Sequence, residues 1–115
     1  MSKVDGIIRQ IPRQVRRIPR MIGNDTRFAI IISLMKKNEM SFSELQDELG
    51  IKISELTYQL NILINEGWLD SSYEKRKNKN DFNFYRLTNW SKKVMDKLFA
   101  VLEPDRYEEF KDRLE

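Results

Sequence analysis

The sequence contains neither cysteine nor histidine. The first absence excludes disulfide bonds, thiolate metal ligands and a cysteine nucleophile. The second removes the commonest general base near neutral pH, the commonest metal ligand and the usual catalytic triad. Any active site would have to use Asp, Glu, Lys, Ser or Tyr. We expect a protein that is not an enzyme and that uses no metal and no cofactor.

Long apolar segments are also absent. No run approaches the roughly 18 apolar residues of a membrane span, and no apolar core with a cleavage site follows the basic N-terminus. A chain of 115 residues, 34% charged and 40% hydrophobic, is typical of one globular domain with appendages. The cytoplasm is the expected compartment.

Positive charge is concentrated at one end of the chain. The formal net charge is +3, but residues 1–23 hold six basic side chains and one acidic one, a net charge of +5. The other 92 residues hold 15 basic and 17 acidic side chains, a net charge of −2. Such asymmetry indicates an acidic partner, either nucleic acid or an anionic membrane.

Hydrophobic periodicity predicts a mainly α-helical chain with one small β-hairpin. The predicted helices cover residues 24–38, 41–50, 54–66 and 90–102, and a last short helix begins at Pro104. Alternating and aromatic residues predict strands in 68–74 and 82–88, around a basic tip. A hairpin directly after a helix-turn-helix is the winged-helix arrangement. We therefore expect a basic arm (1–23), a winged helix-turn-helix domain (24–88) and C-terminal dimerisation helices (89–115).

Short local patterns predict where these helices begin and end. Asx, Ser and Thr residues before an apolar periodic segment typically cap a helix N-terminus. The expected N-terminal caps are Asn24 or Asp25, then Ser43 in a capping box with Gln46, then Ser54. Gly50 is expected to end the second helix in the left-handed conformation.

The basic arm has the spacing of an interrupted amphipathic helix. Its apolar residues and its arginines each recur every three or four positions and fall on opposite faces. The apolar residues are Ile7, Ile11, Val15, Ile18 and Ile22, and the arginine row is Arg9, Arg13, Arg16 and Arg20. Pro12 and Pro19 predict two or three helical pieces joined by kinks. We expect the apolar face to pack on the body or a partner subunit, with the arginines facing DNA phosphates, anionic lipid or solvent.

One longer motif points to a known family. The pattern S-x-L-[ST]-x-[HQ]-L-x-x-L-x-x-x-G-[LW]-[LV] is filled by Ser54, Leu56, Thr57, Gln59, Leu60, Leu63, Gly67, Trp68 and Leu69, and "YRLT" follows at 85–88. Residues 24–102 thereby resemble the ArsR/MarR-type winged-helix transcriptional regulators, particularly the small archaeal ones. The resemblance implies a sequence-specific regulator of double-stranded DNA, commonly a homodimer.

Two departures from the family pattern matter. The second helix reads "ELQDELG" and lacks the cysteines of the ArsR metal motif, which excludes thiolate metal sensing by that route. The third helix lacks the Arg or Lys that relatives usually place at its outward positions, and its segment carries Glu55 and Glu66 instead. A neutral-to-acidic helix can approach DNA only if other segments supply the positive charge.

The expected DNA-binding residues divide into two groups, because phosphates supply affinity and base edges supply sequence information. The base-reading candidates on the third helix are Ser54, Thr57, Tyr58, Gln59 and Asn61. The phosphate-binding candidates are Lys52 in the turn, Lys75, Arg76, Lys77 and Lys79 at the wing tip, and Arg9, Arg13, Arg16, Arg17 and Arg20 in the arm. Asn and Gln can bond adenine edges, and Thr can contact a thymine methyl.

Two alternatives accompany this interpretation. A winged helix can also be a protein-interaction adaptor, which the acidic body favours, with the arm serving a membrane or nucleic acid. The apolar sides of helices 24–38 and 90–102, with Tyr107, Phe110 and Leu114, can form a homodimer interface or belong to an ordinary core. We expect the DNA-binding homodimer.

Overall fold

The computed structural model describes residues 3–74, 82–102 and 104–114. The helices are α1 (Lys3–Arg9), α2 (Arg13–Ile22), α3 (Asp25–Lys37), α4 (Phe42–Leu49), α5 (Ile53–Asn65), α6 (Asn89–Phe99) and α7 (Pro104–Leu114). The strands are β1 (Met40–Ser41), β2 (Leu69–Glu74) and β3 (Phe82–Leu87). The mainly helical fold, with a helix-turn-helix in front of a β-hairpin, is confirmed.

A third strand that the sequence did not predict completes the sheet. The strand order is β1-β3-β2, all antiparallel, with Met40 and Ser71 on either side of Tyr85. Pairing holds Ser41 extended, so α4 begins directly after it and Ser41 forms the capping box with Glu44. The predicted box of Ser43 with Gln46 was therefore wrong by two residues.

The other helix ends are partly as expected. Asn24 caps α3, its Oδ1 accepting from the Arg27 amide at 3.0 Å, and Gly50 ends α4 at φ 63°, in the left-handed region. The predicted cap of the third helix was wrong. That helix, α5, starts at Ile53 with Lys52 in the cap position and no side-chain cap bond, which places Ser54 inside the first turn.

Thr88 closes the base of the wing, the hairpin of β2 and β3. Its amide donates to the Trp68 carbonyl at 3.1 Å, and its hydroxyl donates to the Gly67 carbonyl at 2.8 Å. The same hydroxyl oxygen accepts from the Ser91 amide at 3.1 Å and so caps α6. One residue thus ties the end of the hairpin both to its start and to the helix that follows.

The core lies between α3, α5 and the sheet, and it includes part of the basic arm. Met21 is fully buried, and Ile18 and Ile22 pack against the core cluster. Pro12 occupies the cap position of α2, where a missing amide costs little, but α2 continues through Pro19. The arm therefore forms two helical pieces separated at Pro12, as predicted, but the predicted interruption at Pro19 was wrong, and α2 packs on the body of the domain.

The C-terminal helices fold back on each other. The ring of Phe110 stacks on that of Phe99, with centroids 4.6 Å apart, so Phe110 has a partner within its own chain. Helix α6 ends at Phe99, earlier than the predicted 102, and leaves Val101 81% exposed. The side chains of Tyr107 and Leu114 lie outside what the structure describes.

Candidate nucleic-acid interface

Helix α5 has one buried stripe and one exposed polar face. Leu56, Leu60 and Leu63 are buried against the core, as their spacing predicts. The exposed face carries Ser54, Thr57, Tyr58, Asn61 and Asn65. Within the part of the chain that the structure describes, these side chains make no hydrogen bond or ion pair. They can therefore bond to a ligand without giving up an internal contact.

Gln59 does not belong to that exposed face. It is 4% exposed, and its Oε1 accepts a hydrogen bond from the Arg27 Nε at 2.7 Å. Its Nε2 donates to the Glu55 Oε1 at 3.0 Å. Gln59 follows Thr57 by two residues and so lies about 200° around the helix axis. The prediction that Gln59 faces outward was wrong, because α3 covers that side of α5.

Arginines from α2 contact the C-terminal end of α5. The Arg17 Nη1 donates to the Glu66 carbonyl at 2.7 Å, one of the carbonyls that a helix end leaves without an intrahelical partner. The Arg20 Nε lies 3.3 Å from the Glu66 Oε1. Cations at a helix C-terminus also interact favourably with its dipole. These two arginines therefore stabilise the end of α5 as well as adding positive charge beside it.

The acidic groups of α5 and its C-terminal cap are thus engaged within the domain. Glu66 pairs with Arg20, and Glu55 is linked through the Gln59 amide to the Arg27 guanidinium. Arg27 also reaches back to α2, where its Nη1 donates to the Arg20 carbonyl at 3.3 Å. The Arg20 cation offsets the repulsion that the Glu66 carboxylate would otherwise exert on a polyanion.

The arm arginines fall into an exposed and a half-buried group. Arg9 and Arg13 are exposed, and the Arg20 side chain is 56% exposed despite its ion pair. Arg16 and Arg17 are half-buried, and the Arg16 Nε is buried with no hydrogen-bond partner among the described residues. The expectation of an outward arginine row was wrong for Arg16, because α2 packs on the domain. Arg17 did not belong to that predicted row.

The first backbone N–H groups of α5 have no side-chain hydrogen-bond acceptor, and they lie next to a cation. No side chain caps this helix, and the exposed Lys52 immediately precedes it. Uncapped amides at a helix N-terminus favour a phosphate group. The wing cations Lys75, Arg76, Lys77 and Lys79 lie outside the described residues, although β2 and β3 lead directly to them.

Other candidate features add little to this surface. Burial raises the pKa of the Tyr85 phenol through desolvation, but Tyr85 lies in the core on β3. Within residues 3–74, 82–102 and 104–114, no cluster of acidic side chains could hold a metal ion. No helix in those residues is long and apolar enough to cross a membrane.

Sequence reasoning missed Arg27. It follows the α3 cap and has the appearance of an ordinary first-turn cation, while its partner Gln59 lies 32 residues further along the chain. Charge complementarity does not predict this contact either, because the hydrogen bond joins a cation to a neutral amide. Only the packing of α3 against α5 brings the two together.

Replacing Arg27 by Met should lower the free energy of unfolding by about 1–3 kcal/mol, because the Gln59 oxygen then stays buried without its donor. The double variant Arg27→Met/Gln59→Leu should recover part of that loss, since both polar groups are gone. Urea denaturation of the two variants, and of Gln59→Leu alone, measures the coupling. Additive losses would show that the bond contributes nothing.

The fold and this surface define a winged-helix protein. A helix-turn-helix exposes the polar face of its second helix, and an antiparallel hairpin follows. The profile of the winged helix DNA-binding domain family matches residues 26–104, and the chain belongs to that family.

Solved structures of regulators share the fold. Reduced HlyU from Vibrio cholerae is 25% identical, with a TM-score of 0.60 over 76% of this chain and 87% of that one. The transcriptional repressor BigR from Xylella fastidiosa is 24% identical, with a TM-score of 0.61 over 90% and 98%. A mutant MarR from E. coli, complexed with operator DNA, is 15% identical, with a TM-score of 0.61 over 98% and 81%. The resemblance to ArsR/MarR regulators is confirmed. A search of curated proteins found no match.

Proposed function

We propose that the protein is a non-enzymatic transcriptional regulator that binds double-stranded DNA in a sequence-specific manner. The exposed polar face of α5 supports this proposal most directly, because its side chains are unbonded while both nearby carboxylates are engaged. Family membership adds support, as does the similarity in fold to MarR, which has been solved with operator DNA. In this function α5 lies in the major groove, as the second helix of a helix-turn-helix does.

The DNA-binding residues then follow from exposure. Base contacts come from Ser54, Thr57, Tyr58 and Asn61 on the outward face of α5. Lys52 and the amides at the start of α5 bind phosphate. The remaining phosphate contacts are assigned to the wing cations Lys75, Arg76, Lys77 and Lys79 and to the exposed arm residues Arg9, Arg13 and Arg20.

The regulator acts as a homodimer in this proposal. Helix α1 is exposed along its whole length, and it carries Val4, Ile7 and Ile8 at exposures of 61%, 60% and 45%. Val101, after α6, is also exposed. An apolar stripe of this kind is typical of a surface covered by a second subunit. Two copies would place two α5 helices in half-sites about one helical turn apart.

Binding to duplex DNA across a salt series tests the proposal. Each neutralised phosphate contributes about 0.9 to the slope of log K against log salt, so affinity should fall steeply as salt rises. Lys77→Ala should weaken binding to all sequences alike and reduce the slope by roughly 1 for each protomer in the complex. Light scattering should give two protomers per duplex.

Lys97→Ala is the matched control for that experiment. Lys97 is an exposed cation on α6, outside the proposed surface, so its removal should leave the slope unchanged. No duplex binding at roughly 50 mM salt, or an affinity that does not depend on salt, would contradict the proposal. A stable protein complex that buries residues 54–66 would then favour the adaptor.

A further inference from the structure

One ridge of the recognition helix combines methyl groups with an amide. Ile53, Thr57 and Asn61 follow one another at intervals of four residues and so lie in one row along α5. All three side chains are exposed, Ile53 to 61%. Within the described residues, Ile53 is not part of the core cluster or of the side chains packed against it. An isoleucine that contributes nothing to the core is available for an apolar contact with a ligand.

The chemistry of this row matches one pair of bases in the major groove. Thymine presents a C5-methyl group there, which methyl-bearing side chains such as those of Ile53 and Thr57 can contact. Adenine presents N7 as an acceptor and N6 as a donor, which the Asn61 amide can bond in two places. The two methyl-bearing side chains and the Asn61 amide are therefore complementary to A·T base pairs.

The side chains that most often read guanine are absent from the same helix. Guanine is read mainly by Arg or Lys, and α5 contains neither. Cytosine is read by an acidic side chain; Glu55 is the acidic residue of α5, and one of its two oxygens, Oε1, already accepts from Gln59 at 3.0 Å. Lys52 lies before the first turn, at the cap position, where it is assigned to phosphate.

We propose that α5 reads A·T base pairs, contacting thymine methyl groups through Ile53 and Thr57 and an adenine edge through Asn61. This inference rests on the proposed function and specifies its substrate: the half-site beneath α5 is rich in A·T pairs. Affinity still comes from phosphate contacts, and this row determines which duplexes are preferred.

The test begins with selection of bound duplexes from a random pool by the full-length protein. The selected half-site should contain A·T pairs at the positions that α5 covers. Replacing its thymines one at a time by deoxyuridine removes only the C5-methyl group and keeps base pairing. Each contacted methyl should be worth about fourfold in affinity, the value of one buried methylene-sized group. Replacing guanines by 7-deazaguanine, which lacks N7, should change nothing beneath α5.

Two matched variants separate a methyl contact from a general loss of affinity. Ile53→Ala should abolish the difference between thymine and deoxyuridine at one position per half-site, and the exposure of Ile53 makes a folding defect unexpected. Val15→Ala truncates an aliphatic residue that is also exposed, on α2 and outside both α5 and the proposed dimer surface, and should preserve that difference.

The outcomes distinguish a failure of this inference from a failure of the proposed DNA-binding function. Selected half-sites with G·C pairs beneath α5, or equal affinity for thymine and deoxyuridine duplexes, would overturn the A·T assignment and leave a DNA-binding regulator. Selection of no duplex at all would overturn both.

Discussion

Removing residues 1–23 should unfold the protein, although the sequence presents them as an appendage. Met21 is fully buried, and truncating one such side chain to alanine already costs about 2–5 kcal/mol. The deletion also removes Ile18 and Ile22 from the core and the arginines from the end of α5. The total approaches the whole stability of a small domain, about 5–15 kcal/mol. Circular dichroism of the chain that begins at Asn24 should show no cooperative melting.

Removing residues 1–9 is the matched control. The described residues of that segment are all exposed within the protomer, so the unfolding free energy should change by no more than about 0.5 kcal/mol when both chains are compared at concentrations that keep them monomeric. A chain starting at Asn24 that melts like the full-length protein would show that α2 is not part of the core.

The chain starting at Gln10 is also the suitable control for liposome flotation, because it removes the apolar stripe of α1 and keeps the fold. Equal flotation of that chain and the full-length protein would exclude membrane contact through α1.

Trp68→Ala should have the largest effect of any single core substitution considered, a loss of about 3–5 kcal/mol. Trp68 is fully buried where α5 leads into the wing, and its ring centroid lies 4.4 Å from that of Trp90 on α6. Alanine would leave a cavity and remove the aromatic contact that joins the wing to α6. Urea denaturation followed by circular dichroism measures the loss.

Two further variants test the reason for that effect. Trp68→Phe keeps an aromatic ring and removes an indole Nε1 that has no hydrogen-bond partner among the described residues, so it should cost less than alanine. Tyr58→Ala also truncates an aromatic side chain, but Tyr58 is 59% exposed. That variant should leave stability within about 0.5 kcal/mol of the original while weakening DNA binding. Equal losses for Trp68→Ala and Tyr58→Ala would contradict this account of the core.

Helix α5 shows where sequence reasoning succeeded and where it failed. Leucines at helical spacing identified the buried stripe, because burying them is favourable whatever the neighbours are. The same reasoning predicts an exposed Gln59, because polar side chains are mostly exposed. A distant arginine reversed that preference by supplying a hydrogen bond to the buried amide. Whether a polar residue at the border of a buried stripe is itself buried therefore depends on a hydrogen-bond partner that spacing does not identify.

The arm shows the same division. Its opposed apolar and basic faces were visible in the sequence, and Ile18 and Ile22 do pack inward. The part of the arm that is covered depends on where the chain turns at Pro12, and the contacts of Arg17 and Arg20 depend on the position of Glu66. Spacing cannot supply either position, because both arise from contacts between segments far apart in the chain.

By itself the sequence determined most of the elements and their order: the periodic helices, the glycine that ends α4, the two strands of the wing and the family motif. These features follow from interactions within a few residues, and such interactions are readable along the chain. Only the tertiary structure decided that Arg27 buries Gln59, that α2 closes the core, and that Ile53 remains exposed beside Thr57. Those outcomes depend on which distant surfaces meet, because burial and the pairing of charges are properties of the packed chain.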